Sequence, residues 1–242
     1  MKILGIIPAR YGSTRFPGKP LIDINGKSMI QRVYEQAKSC PRLDNVFVAT
    51  DDQRIFDHVK SFGGSVEMTS DKHESGTDRC AELVEKINEK YDVVINIQGD
   101  EPYIDPTQII QLCDCFNDEK TDIATLIKKI DNTTDLFNEN KVKVVKNPKD
   151  FAIYFSRNPI PFLKAEKQEN WLEKHCYYKH IGIYGYRTEV LKNITVTSVS
   201  LLEKAEGLEQ LRWLENGFHI KVAETELEAI AIDSPEDLEK IK

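Results

Sequence analysis

The sequence is poor in cysteine and has no long apolar run, and each absence argues against a class of protein. Its five cysteines are an odd number at scattered positions: Cys40, Cys80, Cys113, Cys115 and Cys176. The closest pair, Cys113 and Cys115, has neither a second pair nor a nearby histidine, which argues against a disulfide framework or a zinc site and favours reduced thiols. No apolar stretch approaches the ~18 residues of a membrane span, and the run over 3–7 is too short for a signal peptide. We therefore expect a cytoplasmic protein with no membrane partner.

Glycine, proline and net positive charge are also in short supply. With 12 glycines and 10 prolines among 242 residues, 40% of them hydrophobic, the composition is that of an ordinary globular protein. Lysine and arginine number 33 against 40 aspartates and glutamates, a formal charge of −7. That charge argues against a general nucleic-acid-binding surface, so we expect no nucleic-acid partner, but it leaves room for a local basic pocket.

The first half of the sequence alternates short apolar runs with patterns of helical period. The apolar runs predict strands over 2–8, 45–49, 65–68 and 92–97. The periodic patterns predict helices over 29–39, 53–62, 78–90 and 106–116. Asp51 or Asp52 would cap the second of these helices, and Asp105 would cap the fourth. Strands alternating with helices form right-handed βαβ units, so this half predicts an α/β fold with a mainly parallel sheet.

The second half is less regular and richer in predicted strands. Strands are predicted over 123–130, 141–146, 152–156, 177–186, 220–223 and 229–232. A capping box at Ser200 and Glu203 opens a predicted helix to about residue 216, and Ser234 opens a final one. The charged segment 164–174 is predicted to be a solvated excursion. We expect a single domain over 1–242 with an inserted β-rich part.

A basic loop follows the first predicted strand and is the first candidate site. Arg10, Arg15 and Lys19 lie there beside Gly12 and Gly18. Ligands of open α/β sheets bind at the carboxyl ends of strands, where glycines let backbone amides approach an anion and guanidinium groups match phosphate oxygens. The loop has the spacing of neither the Walker nor the dinucleotide fingerprint. A solvated basic loop is the alternative, and three clustered cations favour phosphate binding over it.

Two acids end predicted strands and point to a metal. Asp100 follows the apolar strand over 92–97, and Asp233 follows the one over 229–232. A carboxylate opposite a bound triphosphate would repel it unless a hard divalent cation lay between them, and Mg²⁺ is the usual one. Alternatively, Asp100 forms a turn with Gly99, and Asp233 caps a helix that Ser234 can also cap. Two such acids facing one phosphate loop favour the metal.

The remaining polar features carry less information by themselves. The segment 75–79 opens a helix and either holds a base or ribose or simply caps that helix. Arg157, His180, Tyr184 and Gln210 are polar residues of the kind that structural hydrogen bonds also satisfy. The five histidines show no metal-binding spacing, and no nucleophile elbow is present, so hydrolytic and zinc chemistry lack support.

Several motifs together resemble one enzyme family. Residues 8–20, PARYGSTRFPGKP, and 98–102, QGDEP, resemble the CMP-Kdo synthetases, the 3-deoxy-manno-octulosonate (Kdo) cytidylyltransferases. Further matches lie at 49–51, 75–79, 154–157, 180–186, 208–212 and 233–237. The first motif alone is typical of cytidylyltransferases in general, and together with the last three it is specific to the Kdo branch. The resemblance covers essentially the whole chain.

The resemblance implies a Rossmann-like nucleotidyltransferase fold with a small inserted dimerisation part at roughly 130–187, and a homodimer. It implies the Mg²⁺-dependent reaction of CTP with Kdo to CMP-Kdo and diphosphate, for lipopolysaccharide biosynthesis. CTP would be bound by Ala9, Arg10, Ser13, Arg15, Lys19, Ser75, Gly76, Arg79, Gln98 and Gly99. Kdo would be bound by Gln98, Arg157, His180, Tyr184, Glu209 and Gln210. Asp100 and Asp233 would hold the metal and, with Arg10 and Lys19, form the catalytic set.

Some departures and alternatives accompany this resemblance. The stretch 224–232 lacks the glycine-rich pattern of some members, which leaves the approach of Asp233 to the metal open. A related branch activates 8-amino-Kdo and has glutamine where Glu101 stands here, so Glu101 favours ordinary Kdo. The alternatives are another acidic sugar as substrate, a nucleotide-binding regulator without catalysis, and a scaffold that uses the aromatic strand 177–186 as its contact face.

Overall fold

A computed structural model describes residues 1–12, 16–73, 75–228 and 230–240 of the protein. The first half contains β1 (Ile3–Ala9), β2 (Asp23–Ile24), β3 (Lys27–Ser28), α1 (Met29–Ser39), β4 (Asn45–Thr50), α2 (Gln53–Ser61), β5 (Val66–Met68), α3 (Gly76–Lys86), β6 (Val93–Asn96) and α4 (Pro106–Cys115). The second contains β7 (Ile123–Lys129), α5 (Thr133–Phe137), β8 (Lys143–Lys146), β9 (Ala152–Ser156), α6 (Trp171–Lys174), β10 (Tyr178–Arg187), α7 (Thr188–Thr195), α8 (Leu201–Glu206), α9 (Glu209–Glu215) and β11 (Ile220–Glu224). Short 3-10 helices span Lys19–Leu21, Gln168–Asn170 and Pro235–Lys240.

The main sheet is mixed and runs in the order β11-β7-β10-β6-β1-β4-β5. The pairs β1–β4, β1–β6, β4–β5 and β7–β11 are parallel, whereas β10 runs antiparallel to both β6 and β7. The hairpin of β8 and β9 pairs with β10 at one side. The predicted α/β fold is therefore confirmed, with β1 near the centre of the sheet.

Helices cover both faces of this sheet, which explains why its strands are apolar runs without alternation. One face packs against α1, α2 and α4, and the other packs against α3, α7 and α9. Within β1, Ile3 and Ile7 pack on the face covered by α1, α2 and α4, whereas Leu4 and Ile6 pack on the face covered by α3, α7 and α9. None of the described helices is long and apolar enough to cross a membrane.

Local capping residues explain why several helix starts match the prediction. The side chain of Ser28 accepts a hydrogen bond from the Gln31 amide at the start of α1, which spans the predicted 29–39. Asp52, one of the two predicted caps, accepts from the Arg54 amide at the start of α2, and Asp105 caps α4. Each side-chain oxygen satisfies a backbone N–H that the helix itself leaves free.

Two second-half predictions are wrong, and a third is right only in part. Residues 230–232, predicted to end a strand, form no strand, although Ile232 is fully buried. The helix predicted over 200–216 is two helices, because Gly207 takes a φ of 64° and ends α8. The segment 164–174 is exposed at most positions, as predicted, but it is anchored to the core at one residue, since Trp171 is 2% exposed and packs with Ile130, Leu136 and Tyr177.

Candidate active site

A polar cleft of about 270 Å³ opens where β1 and β6 end. Its lining residues are Pro8, Ala9, Arg10, Lys19, Pro20, His73, Ser75, Gly76, Arg79, Asn96, Gln98, Gly99, Asp100 and Asp233. The structure thus brings together both predicted metal ligands and all the predicted CTP-binding residues that it describes. The predictions for Ser13 and Arg15 lie outside the described residues.

Gly99 allows the two strand ends to meet at the floor of this cleft. A Cβ atom at Gly99 would lie 2.8 Å from the carbonyl oxygen of Pro8, closer than real Cβ contacts allow. Only glycine therefore lets the chain after β6 pass directly over the end of β1. This close approach places Gln98 and Asp100 beside Ala9 and Arg10 in the lining of one cleft.

Lys19 pairs with both acids at the edge of the cleft. Its ammonium nitrogen lies 2.8 Å from Asp100 Oδ2 and 3.4 Å from Asp233 Oδ1, and its side chain is 15% exposed. The amide of Ile232 donates to the carbonyl of Asp100 at 2.9 Å, which docks the last described segment against the loop after β6. Asp237 fixes that segment further by accepting from the amide of Asp233. Lys19, Asp100 and Asp233 are far apart in the sequence, but they meet at this edge of the cleft.

The donor chemistry of this edge fits a hard divalent cation. Asp100 and Asp233 offer carboxylate oxygens, and the part of the chain that the structure describes holds no group of three or more His, Cys, Asp or Glu side chains suited to a metal. Mg²⁺ typically takes one or two protein carboxylates and fills its other positions with water and substrate phosphates. Two carboxylates at the edge of a polar cleft match this coordination pattern.

Glu101 follows Asp100 and lies in a less polar environment. Burial, and then the negative charge of Asp100, raise the pKa of the Glu101 carboxyl to about 7. A carboxyl so placed is partly protonated at neutral pH, unlike an ordinary glutamate. Glu101 therefore adds less negative charge to this edge than its sequence suggests.

Arg79 is a buried anchor beneath the cleft rather than a free cation. Its guanidinium donates to Asp51 Oδ2 at 3.0 Å and to Thr69 Oγ1, and the residue is 3% exposed. Ser75, at the start of the same helix, uses its hydroxyl to accept from the Asp78 amide. Because these two bonds join α3 to residues that follow β4 and β5, Arg79 holds α3 against the ends of those strands.

Sequence reasoning missed His73, which also lines the cleft. His73 Nε2 contacts the carboxylate of Glu82 on α3. Burial would raise the pKa of Glu82, but hydrogen bonds from Lys86, the Ser70 amide and His73 outweigh it and lower that pKa to about 2. A lone histidine outside a spacing motif gives no signal in the sequence, so only the fold could reveal this position.

The aromatic part of β10 lies beside the cleft. Tyr184 is paired across the sheet with Asn96, a lining residue, and its ring lies 5.2 Å from that of His180 and 5.1 Å from that of Trp213. Burial lowers the pKa of His180 to about 4. His180 is therefore a neutral hydrogen-bonding ring at neutral pH, and its Nε2 lies 2.9 Å from Thr125 Oγ1.

Unpaired polar atoms mark the same face of the sheet. Asn96 Oδ1, Tyr186 Oη and Trp213 Nε1 are buried and have no hydrogen-bond partner among the described residues. Because Tyr184 and Tyr186 are two residues apart on one strand, they share a face with Asn96. Buried polar atoms are nearly always partnered, so a group of unpaired ones indicates a place for ligand hydroxyls or water.

Glu209 links this polar group to α3. Its two carboxylate oxygens accept from Arg212 Nη2 at 2.8 Å and from Thr77 Oγ1 at 3.2 Å. Burial raises the pKa of Glu209, and the charge of Arg212 partly offsets that effect. Its neighbour Gln210 is 5% exposed. Glu209 and Gln210, two of the residues predicted to bind the sugar, therefore lie at the start of α9, above the aromatic part of β10.

Arg157 is placed differently from the other predicted sugar-binding residues. Its Nε donates to the carbonyl of Glu206 at 2.6 Å, its Nη1 to Glu139 at 3.0 Å and its Nη2 to Gly207 at 3.4 Å. The hydrogen bonds to these three carbonyls hold the Arg157 guanidinium at the carboxyl end of α8. Of the predicted sugar-binding residues, Gln98 alone belongs to the described lining of the cleft. The contacts predicted between the sugar acid and Arg157, His180, Tyr184, Glu209 and Gln210 therefore stay predictions.

Comparisons with known proteins agree with this geometry. The profile of the family described as cytidylyltransferase matches residues 4–230. The 3-deoxy-manno-octulosonate cytidylyltransferase of Parabacteroides distasonis is 60% identical over 244 aligned positions, covering 99% of this chain and 96% of that protein. The enzyme of the same name from Bacteroides thetaiotaomicron is 57% identical, covering 98% and 96%.

A solved structure matches along the whole chain. It is that of a CMP:2-keto-3-deoxy-manno-octonic acid synthetase in complex with CTP, with a TM-score of 0.91 and 44% identity over 100% of this chain and 97% of that one. The structure and the relatives confirm the resemblance that the sequence motifs suggested. The cleft at the ends of β1 and β6, and the full-length identity, place this chain in the cytidylyltransferase family, among the 3-deoxy-manno-octulosonate cytidylyltransferases.

Proposed function

We propose that the protein transfers a cytidylyl group from CTP to Kdo, forming CMP-Kdo and diphosphate for lipopolysaccharide biosynthesis. The observation that carries this proposal is the cleft in which Lys19 meets Asp100 and Asp233, lined by residues of the motifs at 8–20, 75–79 and 98–102. A polar cleft at strand ends suits a nucleotide. The 60% identity to an enzyme named for this activity supports the same substrates here.

CTP binds along the cleft in this proposal. Arg10 and Lys19, together with Ser13 and Arg15, bind the triphosphate, because guanidinium and ammonium groups match its charge. Ala9, Ser75, Gly76, Arg79, Gln98 and Gly99 line the remainder, which accommodates the cytidine. Ser75 and Gly76 lie at the amino end of α3, where the helix dipole favours electron-rich groups.

Asp100 and Asp233 would hold Mg²⁺ in this proposal. When bound, the ion neutralises phosphate charge and lowers the pKa of a coordinated hydroxyl. The two carboxylates supply oxygen ligands and keep them at a fixed edge of the cleft, where the bond between Ile232 and Asp100 holds the second acid close to the first. Lys19 and Arg10 stabilise the negative charge that develops on the departing diphosphate.

The reaction we propose is an in-line displacement at the α-phosphorus of CTP. The anomeric hydroxyl of Kdo attacks on the side opposite the leaving diphosphate, so the sugar must bind next to the α-phosphate. The aromatic part of β10 adjoins the cleft through Tyr184 and Asn96 and meets that requirement. His180, neutral at neutral pH, would exchange hydrogen bonds with sugar hydroxyls, as would Tyr184, Glu209, Gln210 and Gln98.

The carboxylate of Kdo needs a cation, and Arg157 is our candidate. To reach it, the Arg157 guanidinium would exchange its contacts with the carbonyls of Glu139 and Gly207, at 3.0 and 3.4 Å, for contacts with the sugar acid. Its shorter bond to the Glu206 carbonyl can remain. Because a bidentate guanidinium–carboxylate pair is stronger than bonds to neutral carbonyls, the exchange is favourable once substrate arrives.

We also propose a cytoplasmic homodimer whose contact region lies within 130–187. In this region Phe162 is 72% exposed and its ring meets that of Trp171 at 5.2 Å. Phe137, 41% exposed, packs against the same indole. Exposed aromatic clusters of this kind favour protein contacts. Sedimentation of the parent and of Phe162→Ser should give a dimer and a shift toward monomer respectively.

Diphosphate release tests the proposed reaction directly. The purified protein is incubated with CTP, Mg²⁺ and one of Kdo, 8-amino-Kdo or N-acetylneuraminate, with ATP, GTP and UTP replacing CTP as controls. We expect release with CTP and Kdo alone. Release with another acid would keep the chemistry and reassign the substrate. No release from protein that still binds CTP would instead identify a nucleotide-binding regulator.

A further inference from the structure

The loop after β1 closes on itself through Tyr11 and Gly18. The amide of Gly18 donates to the carbonyl of Tyr11 at 3.0 Å, and Gly18 has a φ of 74°. The phenol ring lies against the same glycine, since a Cβ atom there would be 3.1 Å from Cζ and from Oη of Tyr11. Both the backbone and the ring of Tyr11 therefore meet the residue that immediately precedes Lys19.

Arg54, in the first turn of α2, contacts the Tyr11 ring and holds it in place. The Arg54 guanidinium carbon lies 3.3 Å from the centroid of that ring, a close cation–π contact. The guanidinium is itself fixed, because Nε and Nη2 donate to the two carboxylate oxygens of Asp52 at 2.9 and 2.7 Å. Asp52 caps α2. A chain of contacts thus runs from the first turn of α2 through Tyr11 to Gly18.

Gly18 also starts the short helix that carries Lys19. The amide of Leu21 donates to the carbonyl of Gly18 at 2.9 Å, closing the 3-10 turn Lys19–Leu21. The position of Lys19, and with it the pairing with Asp100, depends on where Gly18 is held. Neither Tyr11 nor Arg54 belongs to the described lining of the cleft, so both act at a distance from bound nucleotide.

We propose that Tyr11, clamped by Arg54, is a positioning residue that holds Gly18 in place and thereby sets Lys19 for CTP. The proposal rests on the proposed function of the cleft and adds two residues to it. A glycine such as Gly18 has many accessible backbone conformations, and ordering it only on binding would carry an entropic cost that weakens CTP affinity. The ring removes that cost before the nucleotide arrives.

Four single variants separate positioning from simple packing. Tyr11→Ala removes the ring, Tyr11→Phe keeps it without the hydroxyl, and Arg54→Leu removes the cation. Lys60→Leu is the matched control, because the Lys60 ammonium also lies over a ring, that of Phe56, at 5.6 Å on the same helix but away from the loop. For each, CTP affinity is measured by calorimetry, KM and kcat by diphosphate release, and the melting temperature by circular dichroism.

We expect the CTP affinities of the variants to follow a defined order. We expect Tyr11→Ala to weaken CTP binding about tenfold, with a higher KM for CTP, a lower kcat and an unchanged KM for Kdo. Arg54→Leu should weaken CTP binding about two- to fivefold, the size of a surface cation–π contact. Tyr11→Phe and Lys60→Leu should match the parent. Adding Arg54→Leu to Tyr11→Ala should bring no further loss, because the ring that Arg54 holds is already gone.

Several results would overturn the proposal. One is unchanged CTP affinity in folded Tyr11→Ala, or in Arg54→Leu if the alanine variant does not fold. Another is a Tyr11→Phe variant as impaired as the alanine variant, which would assign the effect to the hydroxyl. A parent that binds CTP but releases no diphosphate with Kdo contradicts the proposed function alone, and the ranking of affinities still decides on the clamp. A parent that does not bind CTP contradicts both.

Discussion

The ammonium of Lys19 lies 2.8 Å from Asp100 Oδ2, in a partly buried ion pair that closes one end of the cleft. The same nitrogen is 3.4 Å from Asp233 Oδ1. A positive group therefore stands between the two carboxylates that would hold Mg²⁺. We expect the phosphates of CTP to draw the ammonium away from these acids and leave them to a divalent cation, so that nucleotide and metal would favour each other's binding.

Lys19→Met should lower turnover and tighten divalent-cation binding to the free protein. The variant removes the charge that neutralises Asp100 and Asp233, so the carboxylates attract a cation more strongly. It also removes a donor for the departing diphosphate, for which we expect a loss in kcat of about 10²–10³-fold. Mn²⁺ binding without nucleotide, followed by electron paramagnetic resonance, checks the first effect.

Lys27→Met is the control for that variant. Lys27 and Glu35 form an ion pair at 2.6 Å on the exposed surface, outside the cleft. Its loss should change neither Mn²⁺ binding nor kcat. Equal Mn²⁺ affinity in the parent and in Lys19→Met would contradict the view that the lysine competes with the metal.

Asp100→Ala should abolish turnover without unfolding the protein. The side chain of Asp100 is 28% exposed and pairs with Lys19 at the edge of the cleft, so the core loses nothing by the change. Diphosphate release at increasing Mg²⁺, together with the melting temperature, checks both halves of the expectation. A folded variant with near-normal kcat at saturating Mg²⁺ would show that Asp100 is not a metal ligand.

Asp51→Ala should destabilise the fold, because it leaves the buried guanidinium of Arg79 without its carboxylate. Breaking such a pair costs about 3 kcal/mol, since one buried charge remains uncompensated. Urea denaturation measures the loss. Glu189→Ala is the control, because its ion pair with Lys192 is exposed and should contribute nothing measurable. Equal stability of the two variants would contradict the anchoring role of Arg79.

His180 should make the protein less stable as the pH falls. Its folded pKa, about 4, lies below the usual 6.5, so the unfolded chain binds a proton more readily than the folded one. The stability this group contributes is therefore complete above about pH 6.5 and declines toward about pH 4. Urea midpoints at pH 7.5 and 4.5 should differ less in His180→Asn than in the parent.

The exposed residue His175 provides the comparison for that experiment. His175→Asn should keep the pH dependence of the parent, because this substitution leaves the buried ring of His180 in place. A His180→Asn variant with the full pH dependence of the parent would place the titration on another group.

The first-half elements were predictable because local signals and burial agree there. Ser28 caps α1, and an apolar stripe from Ile30 to Ala37 faces the sheet, so both the start and the face follow from the sequence. Residues 230–232 show the opposite case. Their apolar alternation resembles a strand, but the Ile232 amide bonds to the Asp100 carbonyl in a loop, and Ile232 packs against Ile24 and Met29.

The candidate site was predictable where residues follow strands and hidden where partners are tertiary. Arg10, Asp100 and Gly99 lie at the ends of apolar runs, and the sheet brings those ends to one edge. The partners of Arg79, however, are Asp51 and Thr69, which follow two other strands. Nothing in the local sequence around Arg79 distinguishes a base-binding arginine from one that is used up by the fold.

The docking of Ile232 on Asp100 makes the second acid of the cleft depend on a short segment outside the sheet. Ile232 is fully buried against Ile24 and Met29, and its amide bonds to the Asp100 carbonyl, whereas the sheet itself ends with β11. Local unfolding of this segment would therefore remove Asp233 from the cleft while the sheet stays folded. We expect mild denaturant to separate Asp233 from Lys19 and Asp100 before it unfolds the core.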